Sequence, residues 1–515
     1  MAVSSPALSR QADEAPPLML GGYAALAESA WMGAAQASEV LEPLRVAGSR
    51  WRGTVSGLPR VRLEGLLTRE LSITEASVVL MASFFFSAML GAVRQVLFNA
   101  QFGAGWEASA YYAAFRLPDT LFSLIAGGAL SSAMIPVLLS TAQEKGKAAE
   151  WRLTSLVLST LLAVFAVVVF VGELFTPAFV TSVLAPGFDA QTSQLTVTLT
   201  RIMLVQPLIL AVGSVATAVL NSRNQFLLTA LSVVSHNVAL IIGIIAARFF
   251  PGLGIFGPTL GVIGGAVLQI AILLPGLFER GFSYRPTLEF ADRRLREVIR
   301  LLIPNGLSVG VGYAGFILDT AFASKAPEAA GLPAIINAWL LVGLPIALLG
   351  QAVGQSAFPR LAAHAAALEW SRMRSTLLRS LAAVITLAVP AVLALIFLGR
   401  FTIHILFEHG KFDAAAGSLT YTVLVAYAVA LPAYVGTEVI TRGLIALRDT
   451  RTPLITNSAQ LAGRAAILTL LIAQMGILTV PIAFAVTASL ETVALGTVLM
   501  LKMQHHVRAS AALAA

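Results

Sequence analysis

The sequence predicts an all-α polytopic membrane protein, and three observations predict it. Of its 515 residues 57% are hydrophobic and only 12% are charged, about half the roughly 25% charge of soluble domains. Mean hydropathy is +0.83. The apolar residues fall in runs of about 20, the length a helix needs to cross a bilayer core about 30 Å thick. Cysteine is absent, which excludes disulfides, thiolate metal centres and cysteine nucleophiles. The net charge of +8 fits arginine-rich loops on one face of a membrane. No basic stripe with interleaved aromatics points to nucleic acid.

In chain order, residues 1–72 are rich in Ala, Ser, Pro, Gly and Arg and hold no run long enough to span. They read as a largely disordered cytoplasmic tail. LMLGGYAALA is short and lacks a basic flank before it, unlike a cleaved signal. Twelve spans follow, near 73–99, 108–140, 151–173, 193–221, 226–249, 254–278, 296–323, 333–363, 376–399, 416–446, 452–474 and 478–502. Pro118, Pro207, Pro345 and Pro432 lie inside spans. Membrane helices tolerate such prolines where neighbours re-satisfy the freed carbonyls, and breaks of this kind also mark transport pathways. Residues 279–295 read as a cytoplasmic linker, solvated or interfacial, and 503–515 as a second tail.

Orientation follows from basic residues in short connections. With the N-terminus inside, seventeen Lys and Arg residues fall on cytoplasmic connections, against four on the other side, Arg248, Lys325, Arg400 and Lys411. Both termini are therefore expected in the cytoplasm. The halves also repeat. Phe188, Asp189, Leu195 and Thr196 match Phe412, Asp413, Leu419 and Thr420 at a constant offset, and Pro207 then matches Pro432 after a one-residue slip. An even number of spans per repeat predicts two six-helix bundles, 73–278 and 296–502, related by a pseudo-two-fold along the membrane normal. Transporters place substrate between such halves.

Several motifs are set aside. There is no phosphate-binding GxxxxGK[ST] loop, so the chain is not itself an ATPase. The histidines lack the spacing of a closed metal site, and GAGW joins two spans rather than opening a dinucleotide fold. No cofactor, metal or enzymatic activity is expected. Gly306 and Gly310 fit close helix packing. The polar residues inside spans are more telling. A charge near mid-bilayer costs at least ~2.5–3.5 kcal/mol, so Arg94 and Arg116 are expected to face protein or a wet cavity. Asp119 lies one turn from Arg116 and offers it a partner, whereas Arg94 has no such neighbour. Glu438 and Arg442 are also one turn apart.

The stretch 84–136 resembles the MurJ/MviN family of lipid II flippases, in the multidrug/oligosaccharidyl-lipid/polysaccharide exporter superfamily. The matching residues are Gly91, Arg94, Phe102, Gly103, Gly105, Ala110, Phe115, Arg116, Leu117, Pro118, Gly128, Ala129, Ser131 and Pro136. LAPGF (184–188), LTRIM (199–203), LNSRNQF (220–226), IPNGLSVGV (303–311), DTAFAS (319–324) and LFEHGKF (406–412) extend the likeness over about residues 73–475. The resemblance implies an alternating-access carrier in the bacterial cytoplasmic membrane. Its cargo would be lipid II or a related undecaprenyl-pyrophosphate-linked sugar. Its partners would be that lipid-linked oligosaccharide and membrane lipids, with a coupling ion or the membrane potential as driving force.

The chain departs from the family pattern at cavity positions. Ala88 replaces an arginine, Gln95 an acid, Ser109 an aspartate, Phe122 and Ser123 an arginine, and Gly127 a glutamate. Trp339 and Leu340 stand where the family has an Asp-Arg pair. The family commonly has fourteen spans, the last two forming a groove for the lipid tail; twelve are legible here. The candidate substrate-binding residues are Arg94, Arg116, Asp119, Asn305, Asp319 and Gln351. Two other readings stand beside the flippase. One is an ion-coupled exporter using acids such as Asp119, Asp319, Glu438 and Glu491. The other is a non-transporting envelope-assembly scaffold.

Overall fold

The computed structural model describes residues 69, 71–126, 129–278, 281–282 and 284–514. The tail expected over 1–72 lies almost wholly outside them. Among the described residues thirteen α-helices account for most of the structure: α1 (Ile73–Phe102), α2 (Trp106–Ala126), α3 (Ala129–Phe179), α4 (Ala190–Asn221), α5 (Phe226–Phe249), α6 (Phe256–Phe278), α7 (Arg293–Ala323), α8 (Gly331–Pro345), α9 (Ala352–Ala366), α10 (Trp370–Phe407), α11 (Ala414–Ala446), α12 (Arg451–Met475) and α13 (Thr479–Ala514). Gly146, at φ 78°, breaks α3 into two arms, 129–145 and 147–179. α2 with the first arm makes one crossing, and α8 with α9 makes another, so the described residues hold twelve crossings, as the sequence predicts.

Local chemistry sets the boundaries. Ser72 and Glu75 form a reciprocal capping box at the start of α1. Asp189 and Asp413, the repeated aspartates, are the N-caps of α4 and α11, accepting from Thr192 N and Ala416 N. Asp292 accepts from Arg294 N and Leu295 N, so α7 starts at Arg293, three residues before the expected span. α13 continues helical through Ala514, past the expected end at 502. Two π-helical turns interrupt the pattern, Val180–Leu184 after Pro177 and Ile346–Gln351 directly after Pro345. Proline lacks the N–H that would continue the ladder, and the hydrogen-bond register slips there.

The packing repeats with the chain. In the first half α1 packs on α5, α2 and α3 on α4, and α4 and α5 on α6. Six crossings later α7 meets α12, α8 to α10 gather on α11, and α11 and α12 pack on α13. This is the pairing that a pseudo-two-fold requires. Close approach of α5 and α6 rests on Gly243 and Gly257, where a Cβ on Gly257 would lie 2.6 Å from the Gly243 carbonyl oxygen.

The symmetry fails at α7. It leans away from α12 and runs along α2 and α3 of the first half. Glycine permits this: a Cβ at Gly306 would lie 2.8 Å from the Leu124 carbonyl oxygen, and one at Gly310 3.0 Å from Leu124 Cδ2. The connection before α7 is likewise held. Arg285 N and Thr287 N each donate to a serine one turn apart on α3, Ser155 Oγ and Ser159 Oγ, both at 3.3 Å. Arg152 pairs with Glu289 at 2.6 Å, and Trp151 packs at a tilt against Phe282, 5.2 Å between ring centroids. The linker expected to be solvated or interfacial is a strap pinned to α3.

The end of the molecule poor in basic residues is sealed between halves. Lys411 N donates to the Ala100 carbonyl oxygen at 2.8 Å, Gly187 N to Ser324 Oγ at 3.0 Å, and Ser109 Oγ to the Ala329 carbonyl oxygen at 3.2 Å. The turn that presents Lys411 is anchored by Glu408, which receives Arg400 and, at 2.6 Å, His404 Nδ1. Burial alone would raise the Glu408 carboxyl, but these hydrogen bonds outweigh it and hold the group below the ordinary carboxylate value.

Gly410, in the same turn, has φ 60°, and a Cβ there would overlap the Ala100 carbonyl oxygen. Gly410→Ala should therefore cost about 1–3 kcal/mol from the backbone alone, with the clash adding to it. Gly252, which faces open space, supplies the control. Thermal unfolding of the detergent-solubilised protein should show a lowered midpoint for Gly410→Ala and none for Gly252→Ala.

Candidate functional site

The polar residues named from sequence do not form one cluster: Arg94 is held within the first half, Asp319 within the second, and Arg116 bridges the seam between the two. Arg94, half-buried on α1, donates Nη1 to Asn237 Oδ1 of α5 at 3.2 Å. Asn237 in turn donates to Ser87 Oγ at 2.9 Å. The partner Arg94 lacks in sequence is thus 143 residues away.

Arg116 crosses the seam. Its Nε donates to Thr320 Oγ1 of α7 at 3.2 Å, and its guanidinium carbon stands 5.3 Å from the centroid of the Phe316 ring, a cation–π distance. Asp119 lies in the field of both arginines, but the donor of Arg116 goes to the other half rather than to it. The two candidate cations therefore share α1–α2, with one held inside the first half and the other engaged with the second.

Asp319 has a different partner. It forms a buried ion pair with Arg464 of α12, both side chains 7% exposed. The Arg464 guanidinium also lies 4.8 Å from the Phe484 ring centroid. One carboxylate oxygen, Asp319 Oδ1, has no hydrogen-bond partner. Gln351 is half-buried at the end of the π-helical turn in the eighth crossing, apart from these groups. Asn305 lies on α7, and its side chain is outside the described residues.

Sequence reasoning did not single out the polar knot beside Arg94. Gln95 Nε2 donates to Asn337 Oδ1 of α8 at 2.7 Å and to the Tyr112 hydroxyl at 2.6 Å. Asn99 Nδ2 donates to the same Asn337 oxygen at 2.9 Å. All four side chains are buried. The signal was there: Gln95 and Asn99 are one helical turn apart inside a span, and Asn337 is an amide inside another. Nothing local says that they meet. Lower on the seam, Ser123 Oγ donates to the Tyr313 hydroxyl at 2.7 Å.

Trp339 explains part of the missing charge. It packs edge-on against Phe316, Tyr427, Tyr434 and Phe484 at centroid distances of 5.4–6.4 Å. Aromatic surface fills the second half's wall at the position of the family's Asp-Arg pair.

Comparison with known proteins follows this geometry. The family model for the lipid II flippase MurJ matches residues 98–513. Lipid II flippase MurJ of Burkholderia cenocepacia is 31% identical over 386 residues, covering 71% of this chain and 72% of that protein. Probable lipid II flippase MurJ of Rhizobium tropici is 28% identical over 373 residues, covering 72% and 70%. Among solved structures, lipid II flippase MurJ in an inward closed conformation superposes with TM-score 0.70 at 23% identity, covering 81% of this chain and 86% of that one. An inward-facing multidrug resistance MATE transporter of the MOP superfamily gives 0.71 at 12%, covering 82% and 96%. At such identities the structures speak to the fold.

The buried Asp319–Arg464 pair invites a direct test. Removing one partner leaves a buried charge uncompensated, at about 3–5 kcal/mol. Asp319→Asn should therefore lower thermal stability sharply, and the double variant Asp319→Asn/Arg464→Gln should recover most of it. If the double variant is no better than the sum of the single ones, the two groups do not act as a pair.

Proposed function

Because the chain belongs to the lipid II flippase MurJ family, we propose that it moves lipid II, or a related undecaprenyl-pyrophosphate-linked sugar, from the inner to the outer leaflet by alternating access. The observation that carries this reading is the extent of the family match, residues 98–513, on a twelve-crossing fold whose halves meet at a polar, cation-bearing seam. Such a carrier works by presenting the same site to each side in turn. Here the end poor in basic residues is closed by main-chain and amide hydrogen bonds between halves, none of them an ion pair. Contacts of this kind are individually worth only about 0.5–1.5 kcal/mol, so they can be exchanged during a cycle.

Arg94 and Arg116 are the residues proposed to take the pyrophosphate. Arginine offers planar bidentate donors to phosphate oxygens. Arg116 donates Nε to a neutral hydroxyl and faces the Phe316 ring, interactions that an anion would outcompete. Asp319 is proposed as a support for Arg464 and the second half's wall rather than as a ligand. Asp119 tempers the local positive charge, and Asn305 and Gln351 are retained as polar positions along the path. The imbalance of basic residues between the two ends supports both termini in the cytoplasm, with residues 73–278 and 296–502 as the moving bundles.

Three outcomes check this reading. Expression should rescue growth of a bacterial strain depleted of its own lipid II flippase, and Arg94→Ala should abolish rescue at unchanged membrane levels. Arg116→Gln should weaken binding of a lipid-linked pyrophosphate by purified protein about tenfold or more, the loss of one charge-assisted contact, whereas Asp119→Asn should leave it equal or tighter. On this naturally cysteine-free chain, single cysteines in 284–292 should resist a membrane-impermeant thiol reagent added from outside, whereas one at Lys325 should react.

A further inference from the structure

The lean of α7 leaves a space whose chemistry differs from the seam above it. Between α2, α7 and α12 lies a cavity of about 530 Å3, within the roughly 300–1,000 Å3 of sites that hold small molecules. Its α7 wall is Gly310, Ala314 and Leu318, and its α12 wall includes Ser458, Leu461 and Ala465. Leu124 of α2 closes the back. Ser458 and Ala462 on α12 are exposed, so the cavity opens sideways along α12, a face that the apolar composition of the crossings turns towards lipid.

Its ends are defined. On the side of the molecule poor in basic residues, the seam between α7 and α12 is closed by the Asp319–Arg464 pair, one residue beyond Leu318 on α7 and one before Ala465 on α12. Arg464 Nη1 reaches back to within 3.6 Å of a Cβ built on Gly315. On the α2 wall, Arg116 lies two helical turns from Leu124, with its guanidinium against Phe316 and Thr320 of the same α7. An apolar slot open to the side therefore ends beneath a polar corner, where Arg116 stands beside the Asp319–Arg464 pair. The equivalent seam between α1 and α5 in the first half is closed by direct packing and the Arg94–Asn237 hydrogen bond, so the slot is a property of one half only.

We propose that this slot holds the first part of the hydrocarbon chain of the lipid-linked substrate, while its anionic headgroup rests at Arg116. The inference builds on the flippase reading and adds a tail site between α7 and α12. The occupant must be anionic at one end and apolar beyond it. It must also reach the slot from the bilayer while its head lies inside the protein, and a polyprenyl pyrophosphate has all three properties. The slot also couples tail to conformation. Packing of α7 directly on α12, as α1 packs on α5, would close it, so an occupied slot favours the leaning arrangement seen here.

The test separates tail from head. Ala314→Leu and Ala462→Phe fill the slot without touching Arg94 or Arg116, and two variants on different helices guard against misfolding of either one. Binding to purified protein is measured for a full-length polyprenyl pyrophosphate sugar and for its short-chain, water-soluble counterpart. Filling the slot should weaken the long-chain ligand about tenfold or more and leave the short-chain ligand within twofold. Equal affinity of wild type and both variants for the long chain overturns the proposal, and so does an equal loss for both ligands. If the wild type binds neither ligand, the flippase reading falls and the tail site with it.

A second measurement names the occupant. A photoreactive residue replacing Ser458, in vesicles of phosphatidylethanolamine and phosphatidylglycerol with a small fraction of the lipid-linked sugar, should yield an adduct with the mass of the polyprenyl ligand. Phospholipid adducts alone would make the slot an ordinary lipid crevice and defeat the proposal.

Discussion

A guanidinium inside a membrane must be satisfied by protein, and this structure is arranged around three of them. Water is not there to solvate the charge, so each arginine has to recruit donors, acceptors or aromatic faces from another helix. Arg94 joins α1 to α5 through Asn237. Arg116 joins α2 to α7 through Thr320 and Phe316. Arg464 joins α12 to α7 through Asp319 and rests on Phe484. These are fixed points of the helix arrangement, and two of the three converge on α7. The helix that breaks the internal symmetry is also the helix that the cations hold.

The strength of each tie follows its position. Asp319–Arg464 is buried and charged on both sides, so it resists separation from either direction. It fixes α7 against α12 at one level and leaves both helices free below it. The ties between halves at the end poor in basic residues are neutral: a main-chain hydrogen bond at Lys411, a serine at Gly187, and amides around Asn337. The charged joint Asp319–Arg464 lies within a half and the ties at that end between halves are neutral, whereas near the start of α7 the ion pairs Arg152–Glu289 and Arg294–Glu144 join the halves. The strap of residues 284–292, pinned on Ser155 and Ser159, ties the start of α7 to the first half.

The departures from the family's charged pattern acquire a physical meaning. Where an acid is expected, Gln95 makes a neutral knot with Tyr112, Asn99 and Asn337. Where an Asp-Arg pair is expected, Trp339 gathers four aromatic rings. Both exchanges remove buried charge and substitute groups that are satisfied at lower desolvation cost. At these two positions the wall opposite Arg94 and Arg116 is neutral, and the second half keeps its buried charge in the Asp319–Arg464 pair.

Sequence by itself determined the class, the twelve crossings and the repeat, because these depend on local quantities. A run of about 20 apolar residues has to be a helix in lipid, and a matching Phe-Asp in each half marks the same N-cap twice. It also singled out Arg94 and Arg116 as costly charges that need partners, and Asp319 as a candidate site residue. It could not name the partners, which lie 143, 204 and 145 residues away. Nor could it show that the linker is pinned to α3, since serine spacing on one helix does not say what packs there. The lean of α7 and the slot it opens were decided only in three dimensions: glycines at 306 and 310 permit close approach to any neighbour, and only the folded chain selects α2.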